Sequence, residues 1–181
     1  AEKERDSILF VGDILLARNV EFLMRKEGEG YPYKGIDFSD VVVNPYVVGN
    51  FEAVIPVEHI PTPARMMRFS VSDTFIPALA EAGFTHMSLA NNHAFDYEQE
   101  GFVNTQKTLT LNNIVAVGSP KTFSEDSVSF MTVKDVEVAL ITLHTLERLP
   151  TVTEVSSVFR YANARSDIQV VFVHWGSEYV D

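Results

Sequence analysis

SLANNHAFDY, residues 88–97, decides how this chain is read. It closes the run FTHMSLA (84–90), a short apolar segment of strand character, and places Asn91, Asn92 and His93 where the chain leaves that strand. Amides and an imidazole are poor core material unless each finds a partner, so the switch from apolar to polar marks a strand tip rather than a strand interior. The segment before it reads as a helix, with Ser72 or Asp73 as cap, Ile76, Leu79 and Ala80 on one face, and Gly83 as the stop. A second helix over 99–112 follows, with Phe102, Gln106 and Leu109 on one side. Helix, buried strand and helix in succession indicate an α/β fold.

The same grammar extends in both directions. ILFVG (8–12), YVVGNFEA (46–53), IVAVG (114–118) and DIQVVFVHWG (167–176) are short apolar runs expected to be buried strands, the first of them on both faces. NVEFLMRKEG (19–28) and TEVSSVFRYANARS (153–166) read as helices. SVSFMTV and VEVALITL, separated only by Lys134 and Asp135, read as a hairpin. IPVEHIPTP (55–63) holds three prolines and is an extended surface excursion. The domain therefore occupies 8–181, after an N-terminal tail at 1–7.

The 181 residues, 46% of them hydrophobic, suffice for one domain with a real core. A net charge of −11 excludes nucleic acid as a partner, because such partners need a basic face. The absence of cysteine removes disulfides and thiolate metal sites. No apolar run reaches the roughly 18 residues of a membrane-spanning helix.

Asp13, Asn50, Glu52, Asn92, His93 and His174 all fall at or just past the carboxyl ends of apolar strands, where open α/β sheets place ligands. Oxygen and imidazole donors suit a divalent ion such as Mn, Zn, Fe or Mg, and a pair of such ions can aim a water at a phosphoryl or carbonyl centre. Each residue also has an ordinary role open to it. Gly12-Asp13 could be a capped turn, Asn91 and Asn92 left-handed turn formers, and His93 and His174 hydrogen-bonded core histidines. Arg65 and Arg68 form a local basic cluster that is either solvated or able to grip an anion.

VGDILLAR (11–18), GNFEAVI (49–55), SLANNHAFDY with the following EGF, AVGSP (116–120) and VVFVHWGSEY (170–179) resemble, in order, the motif series of the CapA family of bacterial capsule-synthesis proteins. That family belongs to poly-γ-glutamate production and is distantly similar to calcineurin-like metallophosphoesterases. The resemblance implies a four-layer α/β/β/α sandwich with its site on one rim of two facing sheets. It assigns Asp13, Glu52, Asn92 and His174, with Asn50 beside them, to metal binding. It makes His93 the catalytic imidazole that protonates a leaving group or steadies the transition state.

Two departures accompany the likeness. The phosphoesterase pattern has Asp-x-His at the first strand, whereas Ile8 to Asp13 offers no histidine, so one ligand of that pattern is missing, and the late histidine-rich segment of the family is expected beyond Asp181. The chain is expected to be the front two-thirds of a family member, to leave an unpaired sheet edge, and to self-associate. Three functions follow as expectations. One is capsule or poly-γ-glutamate biosynthesis at the extracytoplasmic face, alongside other capsule-synthesis membrane proteins. Another is a metal-dependent hydrolase acting on a phosphoester or amide. The last is a non-catalytic module in which Arg65 and Arg68 hold an anionic polymer.

Overall fold

The computed structural model describes residues 5–38 and 41–176. Strand β1 (Ser7–Ile14) leads through helix α1 (Arg18–Glu27) to β2 (Pro45–Phe51), then through α2 (Ile76–Glu81) to β3 (His86–Ser88), and through α3 (Glu98–Leu111) to β4 (Val115–Val117). These strands pair in parallel in the order β1-β2-β3-β4. A sequential parallel order with right-handed crossovers puts every helix on one face. Met24 of α1, Ile76 and Leu79 of α2, and Phe102 and Leu109 of α3 accordingly share one buried cluster with Val47, Phe51 and Met87 of the sheet.

Strands β5 (Val128–Val133) and β6 (Val136–His144) form the expected hairpin, and β7 (Ile168–His174) joins β6 in parallel after helix α4 (Val152–Asn163). Thr151 and Glu154 cap α4 reciprocally: Thr151 Oγ1 accepts the Glu154 N–H and the Glu154 carboxylate accepts the Thr151 N–H. Val158 and Ala162 of α4 pack on Ala139 and Ile141. The opposite face of this second sheet meets the first through Val48, Met131 and Leu140, flanked by Ile8, Tyr46 and Phe172. Helices, sheet, sheet and helix stack in that order, which is the four-layer α/β/β/α sandwich that the resemblance implied.

Two expectations about burial need correction. Strand β1 is not buried on both faces: it is the edge of its sheet, with Phe10, Gly12 and Asp13 exposed. Nor is β7 buried. It lies at the edge of the second sheet among the described residues, and Val171 and Val173 face the α4 side beyond the reach of that helix. A continuous apolar run does not by itself distinguish a central strand from a terminal one.

Local details follow from sequence as well. The hairpin turn places Lys134 at φ 54°, a region that normally favours glycine. The start of the chain is less tail-like than expected, since β1 begins at Ser7. The Arg5 carbonyl accepts the Lys134 N–H and its guanidinium donates to the Pro45 carbonyl. The proline-rich excursion is tied down at His59, whose ring bridges Ser70 Oγ (2.6 Å) and the buried Glu21 carboxylate (2.8 Å). No helix among the described residues is long and apolar enough to cross a membrane.

Candidate functional site

A slip in the β1–β2 ladder builds the rim. Phe10 pairs with Val48 but Asp13 pairs with Asn50, so two residues on β1, Val11 and Gly12, face one on β2, Gly49. Such a bulge re-aims the side chains beyond it. Ile8 and Phe10 face the second sheet before the slip, and Asp13 rather than Gly12 does so after it. From the other sheet, His174 ends β7 on the same inner face as Phe172, in register with His144. The two sheets thus bring their carboxyl ends together.

His174 is the centre of the resulting network. Asn50 Nδ2 donates to Asp13 Oδ1 (2.8 Å) and faces His174 Nδ1 at 3.2 Å. An amide NH₂ can only donate, so Nδ1 accepts and the His174 proton sits on Nε2, directed at Asn92 Oδ1 3.0 Å away. Asp13 Oδ1 is 3.4 Å from Nδ1 and Glu52 Oε1 is 3.9 Å from Nε2. Burial lowers the His174 pKa below the ordinary imidazole value, only partly countered by the Asp13 carboxylate, which keeps the ring neutral near pH 7. A neutral imidazole is the form that can ligate a metal.

Asn50 takes a different place from the one expected. It is buried behind the rim, its carbonyl oxygen accepts from Asn91 Nδ2 (3.0 Å), and its NH₂ holds Asp13 and His174. It positions donors rather than offering an oxygen to the cleft. Asn91, fully buried, is the latch beneath: its amide also donates to the Phe51 carbonyl and accepts the His93 N–H. Neither Asn91 nor Asn92 adopts the left-handed backbone of a turn former.

Asp13, Glu52, Asn92, His93 and His174 all line one open cleft of ≈ 680 Å³, with Met67, Leu146 and Trp175 at its sides. His93 is largely buried, its ring 4.2 Å from that of Phe69. Its Nδ1–H donates to Asp96 Oδ2 at 2.9 Å, and the same carboxylate oxygen accepts the Phe69 N–H at 2.6 Å. Asp96 therefore fixes the His93 tautomer, with the proton on Nδ1, and leaves proton exchange to Nε2. The signal for it was the spacing His93-x-x-Asp96, which a tight turn brings into contact.

The two arginines are not equivalent. Arg68 donates to the Asp96 carbonyl and stacks on Tyr97 with its guanidinium carbon 4.1 Å from the ring centre. Arg65 is exposed on the same excursion and is not among the cleft-lining residues.

The donor set fits a divalent ion in chemical type, but Asn92 and Asp13 stand on opposite nitrogens of the His174 ring, 3.0 Å from Nε2 and 3.4 Å from Nδ1, so His174 can share one ion with only one of them. Among the described residues, however, no three His, Asp or Glu side chains converge into a binding group of their own. The amide of Asn92 is needed to complete any such set.

The family described as bacterial capsule synthesis protein PGA_cap matches residues 7–181. The capsule biosynthesis protein CapA of Bacillus anthracis is 27% identical over 200 residues, covering 98% of this chain and 48% of that protein. The PGA biosynthesis protein CapA of Bacillus subtilis is 27% identical over 189 residues, covering 96% of this chain and 50% of that protein. The chain thus spans about half the length of the curated relatives it matches. A putative 5'-nucleotidase from Staphylococcus aureus, solved in complex with alpha-ketoglutarate, shares the fold with a TM-score of 0.59 at 16% identity, over 93% of this chain and 37% of that one.

Proposed function

The chain belongs to the PGA_cap family of bacterial capsule synthesis proteins, and from that membership we propose that it serves capsule or poly-γ-glutamate biosynthesis at the extracytoplasmic face, with a hydrolase-like cleft as its working site. The observation that carries the catalytic part is the contact between His93 and Asp96, set beside the Asp13–Asn92–His174 network in one cleft. An imidazole with one nitrogen held by a carboxylate is oriented to move a proton at the other.

Asp13, Glu52, Asn92 and His174 would hold a divalent ion, which when bound would supply Lewis-acid polarisation of a phosphoryl or carbonyl group. The chain's own contribution is orientation. Asn91 fixes Asn50, Asn50 fixes Asp13 and His174, and Asp96 fixes His93 while anchoring the Phe69 backbone. His93, when protonated on both nitrogens, gives the Nε2 proton to the departing oxygen or nitrogen at the cleft wall and returns to the Nδ1–H tautomer that Asp96 holds. Phe69 shields the imidazole from water.

The test uses manganese content and turnover of a chromogenic phosphoester and of poly-γ-glutamate. Metal bound by the wild type, with kcat reduced about 10²-fold or more in His93→Ala and Asp96→Asn at little change in KM, supports the reading. Wild-type protein that binds no manganese and turns over neither substrate sinks it. The second reading, a non-catalytic module that anchors an anionic polymer, is favoured by the lack of a convergent metal group among the described residues. It requires polymer binding that a chelator leaves unchanged.

A further inference from the structure

Arg18 opens α1, and its backbone is held at φ 57°, a region a non-glycine residue occupies only against a steric cost. Its guanidinium carbon is 5.0 Å from the centre of the Phe69 ring, the same ring that packs on His93. Arg18 Nε is buried and has no hydrogen-bond partner. The neighbour of its Nη2 is the Met67 sulfur at 3.5 Å, a weak acceptor. No carboxylate among the described residues pairs with it.

In a chain with 25 acidic residues against 14 basic ones, an unpaired, part-buried arginine is unexpected. Arg25 and Arg148 both pair with glutamates. A guanidinium does not shed its charge, so a donor left without an acceptor is a standing desolvation cost. Arg18 does not itself line the cleft; the half-exposed Met67 both lies against it and lines the cleft, so a ligand reaches the fork by displacing that side chain.

We propose that Arg18 is the anion-receiving residue of the cleft, its fork taking a carboxylate or phosphoryl oxygen of the substrate close to His93. This deepens the proposed function and rests on the cleft being the working site. It also moves anion binding away from Arg65 and Arg68, of which the latter is already engaged with Asp96 and Tyr97.

Orthophosphate and glutarate serve as separate probes, titrated calorimetrically into the chelator-treated full chain. At least one should bind, identifying a phosphoryl or a carboxylate substrate. Arg18→Gln should weaken that binding about tenfold or more, and Arg65→Gln should leave it unchanged. If Arg18→Gln does not fold, phenylglyoxal labelling of the wild type replaces it: the bound anion should protect Arg18 from modification, as mapped by peptide mass spectrometry. Equal affinity in Arg18→Gln, unprotected Arg18, or no anion binding without metal would each overturn the assignment. Loss of metal-dependent turnover with anion binding intact would instead count against the hydrolase reading alone.

Discussion

Replacing His86 with glutamine should remove about 3 kcal/mol of acid sensitivity from this fold. His86 lies in β3, almost fully buried, with Thr85 Oγ1 2.9 Å from its Nδ1 and the Tyr46 ring against its edge. Burial, with the nearby Arg5 charge adding to it, lowers its pKa from 6.5 to about 4. Below pH 6.5 the unfolded chain takes up a proton that the folded one refuses, so stability is fully present above 6.5 and falls as pH drops toward 4. The loss is about 1.4 kcal/mol at pH 5.5 and about 3 kcal/mol once both states are protonated. Urea melts of wild type and His86→Gln at half-unit steps from pH 7.5 to 4.5 isolate this contribution, because other titrating groups are common to both proteins. The two curves should converge as pH falls, by about the amounts given. Parallel curves would mean that the ring accepts its proton inside the fold as readily as outside, and that burial against Tyr46 is not what keeps it neutral.

Other perturbations probe the frame of the site. Gly118 has φ +84°, and an added Cβ would lie 2.2 Å from the buried Thr142 Oγ1 and 3.1 Å from Ala90 Cβ. Gly118→Ala should therefore destabilise by about 2–4 kcal/mol, and Thr142→Ala in the same chain should restore part of it; strict additivity in a denaturant double-mutant cycle would refute the clash. Lys134→Gly should raise stability by about 1 kcal/mol by relieving the φ 54° turn, visible as a higher melting temperature. Among the described residues no strand lies beyond β7, which predicts concentration-dependent self-association of this chain; sedimentation should show it to weaken in Val171→Lys, and a chain monomeric at all concentrations would contradict it.

Much of this architecture was legible because periodicity and turn chemistry agreed. The cap at Ser72, the stop at Gly83 and the Lys134-Asp135 hairpin lie where the sequence puts them. The layer order was not readable from pattern, since nothing in an apolar run says which neighbour covers it, and it came from the motif resemblance. That gap misled the reading of β1 and β7, whose apolar residues face an edge. At the rim, sequence marked the strand tips but not the ladder slip that turns Asp13 inward, nor which way each amide points. Asn50 illustrates the second gap: its oxygen is engaged by Asn91, a contact 41 positions away. Nothing in the sequence marks Arg18, since its left-handed backbone and its unsatisfied Nε exist only in the fold.

The thin contact between the sheets has a mechanical meaning. Among the described residues, Val48, Met131 and Leu140, with Ile8, Tyr46 and Phe172 around them, form the apolar seam between the two halves that carry Asp13 and His174. The sheets behave like the boards of a book whose binding is this small apolar seam and whose open edge is the rim. A methyl group added or lost at the seam would tilt one board against the other, and the lever arm of the strands would enlarge that tilt at the fore-edge. The spacing between Asp13 and His174, on which the proposed chemistry rests, is thus set from inside the sandwich, by residues of the seam.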